Sequence, residues 1–169
     1  MARWGRFLQG VIVAVMIAGG AVAAGFAPSA AQETADFTAA SYNPSGVECQ
    51  FLDLINRYRA SRNEGRLVLS KPLGEAATAH ARDMDRRNKM YHTPQLAETL
   101  KWYGYNGNYI GENVAAGYRT AKAVFDGWKQ SAGHNRNMLY RRFEAIGIAE
   151  QNGYWTTIFG DRKDQTVRC

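Results

Sequence analysis

The order of the predicted elements indicates an α+β fold, a three-layer α-β-α sandwich with a small antiparallel sheet between helices. Two observations predict it. Amphipathic helical patterns fill the first half of the chain, and strand patterns joined by a tight turn close the second half. From residue 47 the predicted order is helix, helix, helix, strand, helix, strand, strand. A length of 169 residues leaves room for one domain after the amino-terminal segment.

Residues 1–31 are predicted to be a cleaved secretory signal. Two arginines precede a charge-free apolar run from 7 to 27, and Ser29 and Ala31 place small residues where a signal peptidase requires them. An uncleaved membrane anchor is the alternative, because the run approaches the roughly 20 residues that span a bilayer. We expect cleavage before Gln32, and therefore a secreted or periplasmic protein with no stable membrane span.

The mature chain is predicted to begin with an extended leader, residues 32–46, followed by one domain, residues 47–169. The first helix is predicted from apolar residues spaced i, i+3, i+4 and i+7. Gly65 is expected to end that helix, and residues 67–69 are expected to form a short connector. The apolar positions of the helix are Phe51, Leu54, Ile55 and Tyr58.

Two further helices are predicted next. Ser70 is a good N-cap for the second, which Asn88 ends. His80 falls within its apolar stripe, where a histidine is more often a core residue than a ligand. Thr93 and the proline after it predict the start of a short third helix, which runs to about Tyr103.

The rest of the chain is predicted to contain three strands and two helices. Residues 109–116 are expected to form a strand, and Thr120 is expected to cap the helix that contains Trp128. A turn at 133–134 and a short helix follow. Residues 143–150 carry apolar side chains on both alternating sets, which is typical of a central strand. The turn at 151–153 and a last antiparallel strand complete the domain. The sequence of that turn, Gln151-Asn152-Gly153, is typical of a hairpin.

The residues that could carry chemistry are His92, Glu112 and His134. Each stands where a regular element ends, so we expect them to converge. Gly111 and Gly133 precede two of them and allow close approach of the backbone. Two imidazoles and one carboxylate form the ligand set of an open zinc site. The alternative is a hydrogen-bonded His–Glu–His cluster without a metal.

Several motifs, in this order and spacing, resemble those of the CAP superfamily, also called SCP-domain proteins, in its compact bacterial branch. The resemblance covers about residues 48–161. It implies an α-β-α sandwich whose cleft is lined by two histidines and two glutamates. The motifs are Leu52 to Arg59, Ala79 to Met84, His92, Gly111 to Ala115, Trp128, Ser131 to Leu139, Ile146 to Ile148, Tyr154-Trp155 and Phe159-Gly160.

Carried over residue by residue, the resemblance assigns three of the four cleft residues and leaves the fourth changed. The histidines are His92 and His134, and Glu112 is one acid, with Asn113 beside it in the motif. The second acid is replaced by Ser131, which puts in doubt any mechanism that needs paired carboxylates. A further departure is a threonine, Thr157, where many relatives carry glutamine.

The chain has two cysteines, Cys49 and Cys169, at opposite ends of the predicted domain. Because export favours oxidation, we expect them to form a disulfide. Such a bond closes a loop of more than 100 residues, which the chain-entropy model values at up to about 4 to 5 kcal/mol.

Three classes of function fit these features. We favour a binding module, not an enzyme, whose cleft recognises a lipid, glycan, peptide or protein and takes a divalent metal such as zinc. A metal-assisted hydrolase using Glu112 to activate water is the first alternative, and a structural envelope protein with a vestigial cleft is the second. No serine or cysteine is predicted beside a base.

The formal charge argues against a nucleic-acid partner. It falls from +6 to +4 once the signal is removed, because that segment holds two arginines and no acid. The remaining arginines are dispersed among acids and form no dense stripe with interleaved aromatics. We also expect a monomer.

Overall fold

The computed structural model describes residues 41–169, so the expected signal and most of the expected leader lie outside the described residues. Within 41–169 no helix has the length and apolar character needed to span a membrane. The elements are α1 Gly46–Ala60, β1 Val68–Ser70, α2 Lys71–Arg86, α3 Leu96–Trp102, β2 Ile110–Ala116, α4 Ala121–Gln130, α5 Ala132–Leu139, β3 Ala145–Gln151, β4 Tyr154–Gly160 and β5 Thr166–Val167.

The strands form one five-stranded sheet in the order β2-β4-β3-β1-β5. The β2–β4, β4–β3 and β1–β5 pairs are antiparallel, and β1 runs parallel to β3. The α-β-α sandwich is confirmed, but the sheet is mixed and not wholly antiparallel. The expected connector at 67–69 was wrong, because Val68 and Leu69 pair with Ala145 and Ile146. Three apolar residues are too few to show a period.

Helices cover both faces of the sheet. On one face α2 packs so closely that a Cβ atom on Gly147 would lie 2.1 Å from the Leu73 carbonyl. Ile158 on β4 belongs to this core together with Leu73 and residues of α2. On the other face Ile148 joins a core formed with α1, α4 and α5. Because side chains alternate along a strand, successive residues of β2 point to opposite helical layers.

The structure moves three predicted helix boundaries. Helix α1 ends at Ala60, and the left-handed residue after it is Asn63 (φ 59°), not Gly65; asparagine tolerates that conformation. Helix α3 begins after Gln95 (φ 47°), not at Thr93. Gly133 lies within the first turn of α5, where a separate turn was expected.

The described end of the leader is part of the fold. Tyr42 is buried, and its hydroxyl donates to the Ile148 carbonyl across the top of α2. Ser45 and Glu48 form the capping box that begins α1. A leader without a core of its own was expected, but the aromatic ring of Tyr42 packs over Gly74, so the domain includes these residues.

Two covalent or polar clamps fix the far side of the sheet. Cys49 in α1 and Cys169 after β5 form a disulfide, as predicted, with a Cα–Cα distance of 5.6 Å. Arg59 is fully buried and donates to four backbone carbonyls around the ends of α1 and α5. The acceptors are the carbonyls of Gly65, Met138, Tyr140 and Phe143.

Candidate functional site

Glu112 lies on β2, the strand at one edge of the sheet. Its side chain is 3% exposed, whereas that of His92 is 65% exposed. Oε2 accepts hydrogen bonds from His92 Nδ1 at 2.7 Å and from the Thr93 backbone N–H at 3.0 Å. Oε1 accepts from Thr93 Oγ1 at 2.5 Å. Because an ionised carboxylate only accepts, His92 carries its proton on Nδ1 and, when neutral, keeps a lone pair on Nε2.

The segment between α2 and α3, which carries His92, is fastened back to α2 by Tyr91. The Tyr91 carbonyl lies 2.7 Å from His80 Nε2. The Tyr91 hydroxyl donates to the Asp83 carboxylate. The rings of His80 and Tyr91 meet edge to face at 5.1 Å between centroids. His80 is buried and serves the backbone of this segment, which agrees with the structural role predicted for it.

His134 lies in the first turn of α5, which is bound to the same edge strand by amide side chains. Asn113 Nδ2 donates to the His134 carbonyl at 3.2 Å. Asn137 Nδ2 donates both to Asn113 Oδ1 at 2.9 Å and to the Glu112 carbonyl at 3.1 Å. Trp128 Nε1 donates to the Val114 carbonyl of β2 at 3.4 Å. These bonds cover the backbone of an edge strand and fix the position of α5.

The imidazole of His134 pairs with Ser131, whose Oγ lies 3.0 Å from Nδ1. The expectation that no serine lies beside a base was therefore wrong. Ser131 is the N-cap residue of α5, but its hydroxyl makes no capping bond and is free to pair with His134. Burial, and then the nearby charge of His92, hold the pKa of His134 below its ordinary value. A hydroxyl both donates and accepts, so Ser131 leaves the tautomer of His134 free to change.

The site straddles β2. Glu112 and Asn113 point to opposite faces, so His92 approaches from the α2 side and His134 from the α5 side. Gly111 is needed here, because an added Cβ would lie 2.9 Å from the Phe143 ring. Gly133 is not needed for close approach, because no atom lies within 4 Å of its Cβ position.

The described part of the chain contains no set of three His, Cys, Asp or Glu side chains arranged to hold a metal ion. The expected three-ligand set is therefore not preformed between His92, Glu112 and His134. Each imidazole engages a protein side chain through Nδ1, and neither Nε2 has a partner among residues 41–169. The donor set that remains consists of two nitrogens, with Glu112 behind one of them.

Sequence reasoning missed two residues that shape the site. Thr93 was interpreted as a helix cap, because threonine before proline is a common start signal, but its N–H and hydroxyl both bind Glu112. Asn137 was part of a quoted motif without a role, yet it joins α5 to β2. Its place in the motif was the available signal; nothing in the sequence marks Thr93.

The mixed five-stranded sheet between helical layers is the α-β-α architecture expected of a CAP-domain protein. A His–Glu pair and a second histidine lie at one edge of this sheet. The model of the cysteine-rich secretory protein family, CAP, matches residues 52–158. The chain belongs to this family. The match includes all of β2 and α5, which carry Glu112 and His134.

Two proteins of Bacillus subtilis (strain 168) are related in sequence. The uncharacterised protein YkwD is 30% identical over 139 residues, which cover 79% of this chain and 54% of YkwD. The uncharacterised membrane protein YlbC is 30% identical over 116 residues, or 66% of this chain and 34% of YlbC. The chain thus spans about half and about a third of these relatives.

Solved structures share the fold. An extracellular SCP-domain protein of Bacillus anthracis str. Ames is 26% identical with a TM-score of 0.63, over 67% of this chain and 39% of that one. An outer surface protein of Borrelia burgdorferi is 19% identical with a TM-score of 0.63, over 73% of this chain and 99% of that one. At 19% identity the second likeness concerns the fold alone.

Proposed function

We propose that this chain is an exported binding module whose site at the β2 edge, formed by His92, Glu112 and His134, recognises a small ligand or a partner molecule. One observation carries the proposal. The Glu112 carboxylate already accepts three hydrogen bonds from His92 and Thr93, and its side chain is almost completely buried. A carboxylate in this state orients its neighbours and has little capacity left to activate a water molecule.

We further propose that the same site takes a divalent metal ion such as zinc through two protein ligands, although no three-ligand set is preformed within residues 41–169. The ligands would be the Nε2 atoms of His92 and His134, with Glu112 and Ser131 holding the two Nδ1 atoms. Metal-bound histidines commonly have such a partner on the second nitrogen, which fixes the ring and its tautomer. A bound metal would polarise an oxygen or nitrogen atom of the ligand.

Export is supported by three separate features. The predicted signal precedes the domain, and a disulfide closes it, which is typical of oxidising compartments. The similar protein of Bacillus anthracis str. Ames is described as extracellular. We therefore propose a location outside the cytoplasmic membrane.

Calorimetric titration of zinc chloride into the protein beginning at Gln32 tests the metal component. We expect His92→Ala and His134→Ala each to abolish binding. Glu112→Gln should weaken binding by about 10- to 100-fold, as loss of an outer-shell partner does. Glu150→Gln, the same chemical change on another buried strand, should have no effect. Zinc binding that survives both histidine changes would place the ligands elsewhere.

Two further measurements address the ligand and the alternatives. Mass spectrometry of molecules that co-purify with the exported protein, compared with His92→Ala, should identify those that depend on the site. Turnover of an ester and peptide panel that Glu112→Gln abolishes would instead establish the hydrolase. A protein that retains no molecule and binds no metal would favour the structural role.

A further inference from the structure

The sheet has a second distinctive region at its opposite edge, where an open groove of about 760 Å³ lies between α1 and the carboxy-terminal segment. Leu52 and Asn56 of α1 form one wall, and Val167 to Cys169 form the other. Leu67, Leu69 and Phe143 lie beneath it and are buried in the core. Most of the lining is apolar, which includes the stems of long cationic side chains.

The rim of this groove is basic. Four exposed cations line it, against one carboxylate side chain, that of Glu144, and the terminal carboxylate of Cys169. Glu144 lies 3.7 Å from one of the four, Lys163, and both side chains are about half exposed. The three others have no carboxylate partner within residues 41–169. They are Arg66, Arg141 and Arg168.

Strand topology sets these cations in a row. Arg66 precedes β1 and Arg141 precedes β3, and these two strands are parallel. Lys163 follows β4, which is antiparallel to β3, and Arg168 follows β5, which is antiparallel to β1. All four therefore lie at the same end of four adjacent strands, in the order β4-β3-β1-β5. Three strand spacings of about 4.8 Å make the row roughly 14 Å long.

The two walls are held in place before anything binds. Asn56 clamps α1 to the start of β1, because its side-chain amide donates to the Leu67 carbonyl at 3.0 Å and accepts from the Leu67 N–H at 2.8 Å. The disulfide from Cys49 to Cys169 ties α1 to the opposite wall. Such preorganisation lowers the entropic cost of binding.

We propose that this groove binds an extended acidic segment of a partner protein, in which acidic and apolar residues alternate. An extended chain rises about 3.3 Å per residue, so the row matches four or five residues. Alternating side chains point to opposite sides, which directs apolar groups to the floor and carboxylates to the row of cations. Charges spread over four strands suit such a segment better than a single anionic headgroup, and the open floor would leave an acyl chain half in water.

Fluorescence anisotropy with a labelled octapeptide of alternating glutamate and leucine tests the proposal on the exported protein. We expect saturable binding that weakens as salt rises. Two other octapeptides, one alternating glutamate with serine and one alternating lysine with leucine, should each bind at least about tenfold more weakly. The double variant Arg66→Glu/Arg168→Glu should also lose at least about tenfold in affinity.

Arg119→Glu with Lys122→Glu is the matched control, because these exposed cations lie beyond β2 at the opposite edge and the net charge changes equally. This control variant should bind the glutamate–leucine peptide as tightly as the unchanged protein does. Both double variants should keep the melting temperature of the unchanged protein. Equal loss in both variants would overturn the proposal, as would equal binding of the glutamate–serine peptide. Displacement of the peptide by heparin or dodecanoate at lower concentration than by unlabelled peptide would assign the groove to a polyanion or a lipid instead.

Discussion

The two edges of the sheet are built by opposite means. At β2 the edge is covered by neutral side-chain amides and an indole from α4 and α5, and one buried carboxylate gathers the donors of His92 and Thr93. At β5 the edge is held by a disulfide, and the groove beside it is lined by four exposed cations, three of them without a carboxylate partner among residues 41–169. The first arrangement fixes a few atoms closely, whereas the second leaves a long charged surface open. A single rigid sheet thus carries both sites, the first on β2 and the second along the ends of the four other strands.

Removal of the disulfide should have the largest effect and should fall on one edge. The change Cys49→Ser/Cys169→Ser opens a link between residues 120 apart. We expect the free energy of unfolding to fall by up to about 4 to 5 kcal/mol, measured by urea titration. In protein that remains folded, peptide binding at the groove should weaken while zinc affinity at the β2 edge stays unchanged. Loss of both together would show that the edges are not independent.

Arg59 should matter to both edges, since it joins α1 to the segment that leads from α5 into β3. Arg59→Leu leaves four carbonyls without their donor. At about 1 kcal/mol or more for each of the two fully buried bonds, those to the Met138 and Phe143 carbonyls, we expect a loss of at least about 2 kcal/mol. Arg57→Leu is the control, because its exposed ion pair with Asp53 contributes at most about 1 kcal/mol. Similar urea midpoints for the two variants would contradict the clamp.

Thr93→Val should loosen the β2 edge alone. It removes the hydroxyl that binds Glu112 Oε1, and one buried oxygen is then unpaired at a cost of about 1 to 3 kcal/mol. Zinc affinity should fall with it, because Glu112 loses a fixed position. Thr78→Val, where the hydroxyl binds only its own helix, should change stability by about 0.5 kcal/mol or less. An unchanged zinc affinity in Thr93→Val would separate Thr93 from the site.

The smallest expected effect is a pH dependence at the β2 edge. Burial and His92 keep the pKa of His134 below its ordinary value of 6.5 in the folded protein. Near this pH the unfolded chain therefore binds more protons than the folded protein does. The free energy of unfolding consequently decreases as the pH falls below about 6.5. His134→Gln should flatten the unfolding free energy between about pH 6.5 and 5, measured with chelator present. Asn135→Gln, one residue further along α5, should leave the slope unchanged. A slope equal to that of the original protein in His134→Gln would contradict this assignment.

The elements that could be predicted are those whose pattern repeats within a single segment. The period of α1, the alternation of β3 and the turn at Asn152 (φ 48°) and Gly153 (φ 84°) all follow from local chemistry. β1 and β5 have three and two residues, so they exist only because neighbouring strands pair with them. No local pattern can show that.

The site divides in the same way. His92, Glu112 and His134 were selected because residues able to carry chemistry stand where predicted elements end, and Asn113 and Ser131 through the resemblance to the CAP superfamily. Their hydrogen bonding could not be predicted, because it depends on two segments meeting across β2. Thr93 illustrates the limit: a cap and a carboxylate partner use the same hydroxyl, and only the fold decides between them.

The central claim is that His92 and His134 present Nε2 together at the β2 edge while Glu112 holds one ring from behind. Nitrogen-15 NMR of the histidine rings tests it most directly, because the chain has three histidines and His80 serves as an internal control. Before zinc is added, His92 should be protonated on Nδ1, beside Glu112. On titration with zinc, the Nε2 signals of His92 and His134 should shift together at a single stoichiometry, and those of His80 should not. A shift at Nδ1 of His92, or at only one of the two histidines, would contradict the account.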